Sequence, residues 1–159
     1  MNRSKTINIT KTFALAAIGA LALSVAPAGR AADKGCSNTT LQGTFAFNGT
    51  GSIIMPAVVA GPLANVNTIV FDGNGGVTSP SGIQSQNGNI SSVTETGTYK
   101  VNSDCTGTYT VVISPGGFTA HYFFVIDANV SGLEIICTDS GVVFSGIARR
   151  QFPVNDWRN

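Results

Sequence analysis

His121 is the only histidine in the chain, so a Ser-His-Asp or Cys-His mechanism would have to run through it. It begins the run His121-Tyr122-Phe123-Phe124, where a functional imidazole would face an interior shared with Cys137, Glu134 or Glu95. Side chains alternate along a strand, however, and this places Glu134 and Cys137 on opposite faces of Leu133-Glu134-Ile135-Ile136-Cys137. No GxSxG elbow exists, since the serine that comes nearest to one, Ser145 in Val143-Phe144-Ser145-Gly146, lacks the flanking glycines at the required spacing. These residues therefore assign no catalytic role, and a structural or surface histidine is the plainer expectation.

Glu95, Glu134, Asp127 and Asp139 are the other acid-base candidates. Glycoside cleavage needs two carboxyls about 5 to 10 Å apart. Asp127 and Asp139 fall in turn-forming stretches, where solvated or turn-capping carboxylates are expected. Glu95 and Glu134 fall in strand-forming stretches, and only one buried in an apolar interior would acquire a shifted pKa. Asp72-Gly73-Asn74-Gly75-Gly76 begins like a calcium loop, but its twelfth position is Ile83 in place of an acid. A hairpin turn is the expected role of that segment.

Cys36 precedes the first strand and Cys105 sits in the turn Asn102-Ser103-Asp104-Cys105-Thr106-Gly107, both places where a staple costs little geometry. Cys137 lies inside an apolar strand, where a thiol packs as a small hydrophobe. The expected disulfide is therefore Cys36 to Cys105, with Cys137 free. No CxxC spacing supports a zinc site, no motif implies a cofactor, and no metal is expected.

The elements that must position these residues begin after residue 28. Arg3, Lys5 and Lys11 precede an apolar run from Phe13 to Val25, followed by Ala26-Pro27-Ala28. This is the order of a secretory signal peptide cleaved near Ala28, which predicts a secreted or periplasmic protein with no stable membrane span after cleavage. Losing that leader removes three of nine basic residues and none of the eight acidic ones, so the remainder carries a net charge of −2. With charged residues at 11%, the chain has no basic patch of the kind a nucleic acid needs.

From residue 29 to 150, β-branched and aromatic runs bounded by Gly, Asn, Asp and Pro recur without helical periodicity. Strands are read at Leu41 to Asn48, Ile53 to Ala60, Asn65 to Phe71, Val77 to Gln84, Ile90 to Thr96 and Gly97 to Val101. Further strands are read at Thr108 to Ile113, Phe118 to Ile126, Leu133 to Thr138 and Val142 to Arg149. Short connections between them predict an all-β, up-and-down antiparallel barrel of about eight strands, with a two-sheet sandwich as the alternative. Arg149 and Arg150 are expected to stay solvated. Residues 151–159 read as a tail in which Trp157 would cap one barrel end.

Cys36-Ser37-Asn38 with Leu41, Gly43 and Phe45, then Phe71-Asp72-Gly73-Asn74-Gly75, Gly97-Thr98-Tyr99, Asp104-Cys105-Thr106-Gly107-Thr108 and Thr138-Asp139-Ser140-Gly141 resemble a family of small secreted bacterial proteins. The resemblance covers nearly all of the chain after the leader. It implies a fold similar to the barrels of allene oxide cyclase and the lipocalins, it supports a bridge from Cys36 to Cys105, and it brings no catalytic residue.

Such a barrel either holds one small ligand or fills its interior with side chains. The leading expectation is an exported, non-catalytic barrel binding a small apolar ligand or an envelope partner. A cavity would be lined by Phe45, Phe47, Tyr99, Tyr109, His121, Phe123 and Glu134, with Phe144 among the aromatics that line it or fill the core. A cyclase-like enzyme with an apolar cavity and a structural domain with a filled core are the rival classes. A buried, pKa-shifted His121, Glu95 or Glu134 would favour the enzyme.

Overall fold

The computed structural model describes residues 35–152. The leader with its cleavage near Ala28, and Trp157 in the tail, lie outside the described residues. Eight strands follow in order: β1 (Gly43–Ile53), β2 (Gly61–Phe71), β3 (Gly76–Gln86), β4 (Asn89–Val101), β5 (Thr106–Ser114), β6 (Phe118–Ile126), β7 (Gly132–Cys137) and β8 (Val142–Arg150). Each pairs antiparallel with its neighbour in sequence, and β8 returns to pair with β1, closing a barrel and setting aside the sandwich. Closure leaves no strand edge to template association. Among the described residues no helix is long and apolar enough to cross a membrane.

Alternation sends Phe45 and Phe47 of β1, Ile69 and Phe71 of β2, Tyr109 and Val111 of β5, and Tyr122 and Phe124 of β6 into one continuous core. Aromatic rings there need glycine opposite them. A side chain at Gly49 would run into the Phe47 and Phe144 rings, which lie 6.1 Å apart.

Three departures from the sequence pattern shape the interior. The stretches Ile90 to Thr96 and Gly97 to Val101 form one strand, β4. Gly97 is not a break but a close approach, because a Cβ there would run into the Thr110 carbonyl of β5. The stretch Ile53 to Ala60 is not a strand. Pro56 has no N–H to give a ladder, so the chain leaves β1 after Ile53, donates from Ile54 to Gly141 O at 2.7 Å, and makes a 3-10 turn at Ala57–Val59.

The third departure lies in β3, whose pairing slips between Ser79 and Gly82 against β4 and opposite Thr68/Val70 of β2. Pro80 sits in this bulge, the kind of position where a sheet tolerates a missing N–H. The extra residue reverses the alternation. Val77 and Ser79 face inward before it, while Gly82, Gln84 and Gln86 take the inner side after it and Ile83 is left 51% exposed.

One end of the barrel is sealed. The 3-10 turn Asn38–Leu41 lies across it with Leu41 fully buried. Asn38 Oδ1 accepts from Val101 N at 2.8 Å, and Tyr99 Oη donates to Asn38 O at 2.9 Å. The Cys36–Cys105 disulfide ties the segment down. Arg150 departs from the expected solvated state. Its guanidinium lies 4.5 Å from the centre of the Phe45 ring and donates to the carbonyls of Gln42, Thr40 and Val130 at 2.7, 3.3 and 3.2 Å. A planar fork with several donors suits carbonyls left open where the chain enters the barrel. Arg149, one position away, is exposed as expected.

Candidate functional site

At the opposite end the strands splay around a cavity of about 610 Å³, within the usual size of a small-molecule site. Leu63, Val93, Ile113, Tyr122 and Phe144 form its apolar walls. Met55, Val58 and Phe118 stand at the rim, 61, 89 and 65% exposed, so the entrance itself is apolar. Gln86 Nε2 donates to Val59 O at 2.9 Å and pins the loop after β1 beside the opening.

The wall is not uniform. On the β5–β8 and β1 side the inward residues are aromatic or aliphatic, with Tyr109 and Tyr122 stacked at 4.5 Å. On the β2–β4 side Asn65, Asn67, Ser79 and Glu95, all buried, interrupt the apolar inward residues. Asn67 Nδ2 donates to Glu95 Oε1 at 3.1 Å. Gly82 makes this possible, because a Cβ there would lie 2.6 Å from Asn67 Cβ. Asn65 pairs across the sheet with Gln84, and Gln84 lines the cavity. The polar residues therefore lie immediately beneath the cavity.

Among the described residues Glu95 is the one buried carboxyl, and Asp139 lines the cavity itself. Burial disfavours the charged form of Glu95 and raises its pKa from 4.5 to about 7, and the Asn67 bond offsets only part of that rise. At neutral pH it exists in both protonation states, as a proton-transferring group would. Burial also raises Tyr109 and Tyr122, so both stay neutral phenols. Cys137 lines the cavity, but burial raises its thiol pKa and its Sγ points to Asp139 Oδ2 at 3.6 Å, which leaves it a weak nucleophile.

Of the seven residues expected to line a cavity, none lies directly on this one. Phe45 and Tyr99 belong to the sealed end, where both pack against Phe71 at 5.5 and 4.9 Å. Phe47 and Tyr109 face the interior through cavity-lining neighbours, Phe47 against Phe144 and Tyr109 against Tyr122. His121, Phe123 and Glu134 point outward. Phe123 and Glu134 edge a shallow groove on the outer wall. The His121 side chain is 53% exposed and bonds through Nδ1 to Asp139 Oδ1 at 2.7 Å. Partial burial works against the Asp139 charge, but bonds from the His121 backbone and ring hold its carboxyl below the usual range. The pair latches the start of β6 to the turn before β8.

The Asp72 segment is the hairpin turn it was expected to be. Asp72 Oδ1 accepts from Asn74 N at 2.7 Å and Gly76 N at 2.8 Å, with Gly73 and Gly75 at φ +83° and +112°. Among the described residues no cluster of His, Cys, Asp or Glu is placed to hold a metal ion.

Asn65, Asn67, Ser79, Gln84 and Gln86 were not singled out in the sequence. Their signal was parity. Ile69 and Phe71 must face inward, and period two carries Asn67 and Asn65 with them. Comparison with protein-family models, curated proteins and solved structures finds no match for this chain.

Proposed function

We propose that this protein is an exported barrel that binds a small apolar ligand at its open end without transforming it. The observation that carries this reading is the position of the cavity: about 610 Å³ of apolar-walled space at one end of a barrel whose other end is plugged. A blind pocket with an apolar entrance strips water from an apolar ligand and gives it one way in and out. It favours a small molecule over an envelope protein as the occupant. The Cys36–Cys105 bridge fits an oxidising, extracytoplasmic compartment. Native mass spectrometry of protein purified from its producing host tests the reading. A small molecule released on denaturation is the expected result, and a bare chain that also takes up no apolar probe would overturn it.

One observation favours a second reading, a cyclase-like enzyme. Glu95 is buried, lies beneath the cavity and has a pKa near working pH, as an acid-base group requires. The two readings part on the fate of the ligand. A binding barrel returns it unchanged, whereas an enzyme returns an isomer or product whose formation stops in Glu95→Gln.

A further inference from the structure

Three side-chain oxygens beneath the cavity have no hydrogen-bond partner: Asn65 Oδ1, Asn67 Oδ1 and Ser79 Oγ. Their residues are 8, 5 and 1% exposed. Buried polar groups are nearly always paired, so three orphans on one wall mark a place shaped for something else to complete. Each can accept a hydrogen bond. Beside them is the Glu95 carboxyl, whose bond from Asn67 Nδ2 is its one side-chain contact of this kind. The cluster is continuous with the cavity, since Val93 lines it and stands two positions from Glu95 on the same inner face of β4.

No cation in the described residues answers Glu95 from inside the barrel. Lys100 and Arg149 are exposed, and Arg150 is committed to carbonyls at the sealed end. His121 is exposed and bonded to Asp139, whose carboxylate lines the cavity beside Cys137. The groups that do face Glu95 across the interior are Tyr109 and Tyr122, with Cys137 and Asp139 beyond them.

We infer that the β2–β4 wall is a headgroup subsite selecting ligands that carry a primary ammonium on an apolar body. The inference rests on the ligand-binding reading above and names the class of ligand. An ammonium brings three donors and no acceptor, which matches a wall of carbonyl, hydroxyl and carboxylate oxygens. Its charge supplies the partner that a buried carboxylate lacks, and the bond between them is charge-assisted. A carboxylate or phosphate head would set acceptor against acceptor and like charge against Glu95. An alcohol satisfies one oxygen and leaves the charge unmatched.

The pH dependence follows from the same groups. Between pH 5 and 8 an alkylammonium stays charged and Glu95 passes through its pKa of about 7. Over that window Tyr109, Tyr122 and Cys137, all raised, stay neutral, and Asp139, lowered, stays charged. Asn65, Asn67 and Ser79 do not titrate. Amine binding therefore strengthens as pH rises, while alcohol binding does not.

The test is calorimetric titration of the protein with decylamine, 1-decanol and decanoate, each below its aggregation concentration. Decylamine is expected to bind about tenfold tighter than decanol, the effect of one charge-assisted contact, with decanoate weakest. In Glu95→Gln, amine affinity falls to that of decanol and decanol is unaffected. Circular dichroism confirms the variant's fold; should it fail to fold, the wild-type ranking decides. Decanoate binding as well as decylamine, or an amine preference that survives in folded Glu95→Gln, overturns the subsite while the cavity stands. Binding by none of the three probes overturns the cavity reading and the subsite with it.

Discussion

At the sealed end the strands carry Phe45, Phe71 and Tyr99 edge to face beneath Leu41, with Arg150 and a disulfide holding the plug. At the open end the same strands carry Val93, Tyr122 and Phe144 around unfilled space, and their polar neighbours Asn65, Asn67 and Ser79 are left incompletely paired. Apart from the reversal at the β3 bulge, the alternation is the same at both ends, but the packing is not. Side chains interlock where the fold needs stability, and they stop short of interlocking where a ligand would sit. Unpaired polar groups at one end are tolerable because the other supplies the cohesion.

The largest expected effect breaks the sealed end. Phe71 is 1% exposed and touches Phe45, Tyr99 and Tyr109, so Phe71→Ala leaves a cavity among three rings. It should cost roughly 3–5 kcal/mol, read by denaturant unfolding. A loss below about 1 kcal/mol would mean that this end is no more tightly packed than the other.

The next effect has the opposite sign. The Glu95 pKa rises on folding, so its charge penalises the folded state; the penalty begins above pH 4.5, grows until about pH 7 and is level beyond. Each pKa unit corresponds to about 1.4 kcal/mol, so Glu95→Gln should be more stable than the parent by at most about 3 kcal/mol at pH 8. At pH 4, where the parent carboxyl is protonated in both states, the difference should vanish. Unfolding curves at both pH values check this, and a variant that loses stability at pH 8 would place Glu95 in a satisfied structural network.

The smallest effect on stability falls at the rim. Phe118 is 65% exposed, so Phe118→Ser should change stability by no more than about 0.5 kcal/mol. It should nevertheless weaken an apolar probe about three- to tenfold through lost contact at the entrance. Unchanged probe affinity would move the binding surface away from this end.

Much of the fold was legible because β-strands advertise themselves through turns. Asp72-Gly73-Asn74-Gly75-Gly76, Asn87-Gly88 and Asp139-Ser140-Gly141 each separate two strands where expected. The disulfide followed from a cysteine in a turn, one before the first strand, and a third inside an apolar strand. The site was less legible, for reasons that can be named. Treating Gly97 as a boundary cut β4 in two and hid that Glu95 shares a face with Val93, Tyr99 and Val101, all buried. The bulge at Pro80 reverses β3, so Gln84 rather than Ile83 reaches the cavity. In β6 both faces are apolar, and alternation could not tell that Tyr122 and Phe124 face in while His121 and Phe123 face out.

The contrast between the ends is tested most directly by following backbone amide resonances during titration with 1-decanol. Saturable shifts confined to Val93, Tyr122, Phe144 and their neighbours, with Phe45, Phe71 and Tyr99 unmoved, are the predicted result. Shifts centred on the sealed end or on the outer groove beside Phe123, or none at all, would contradict it.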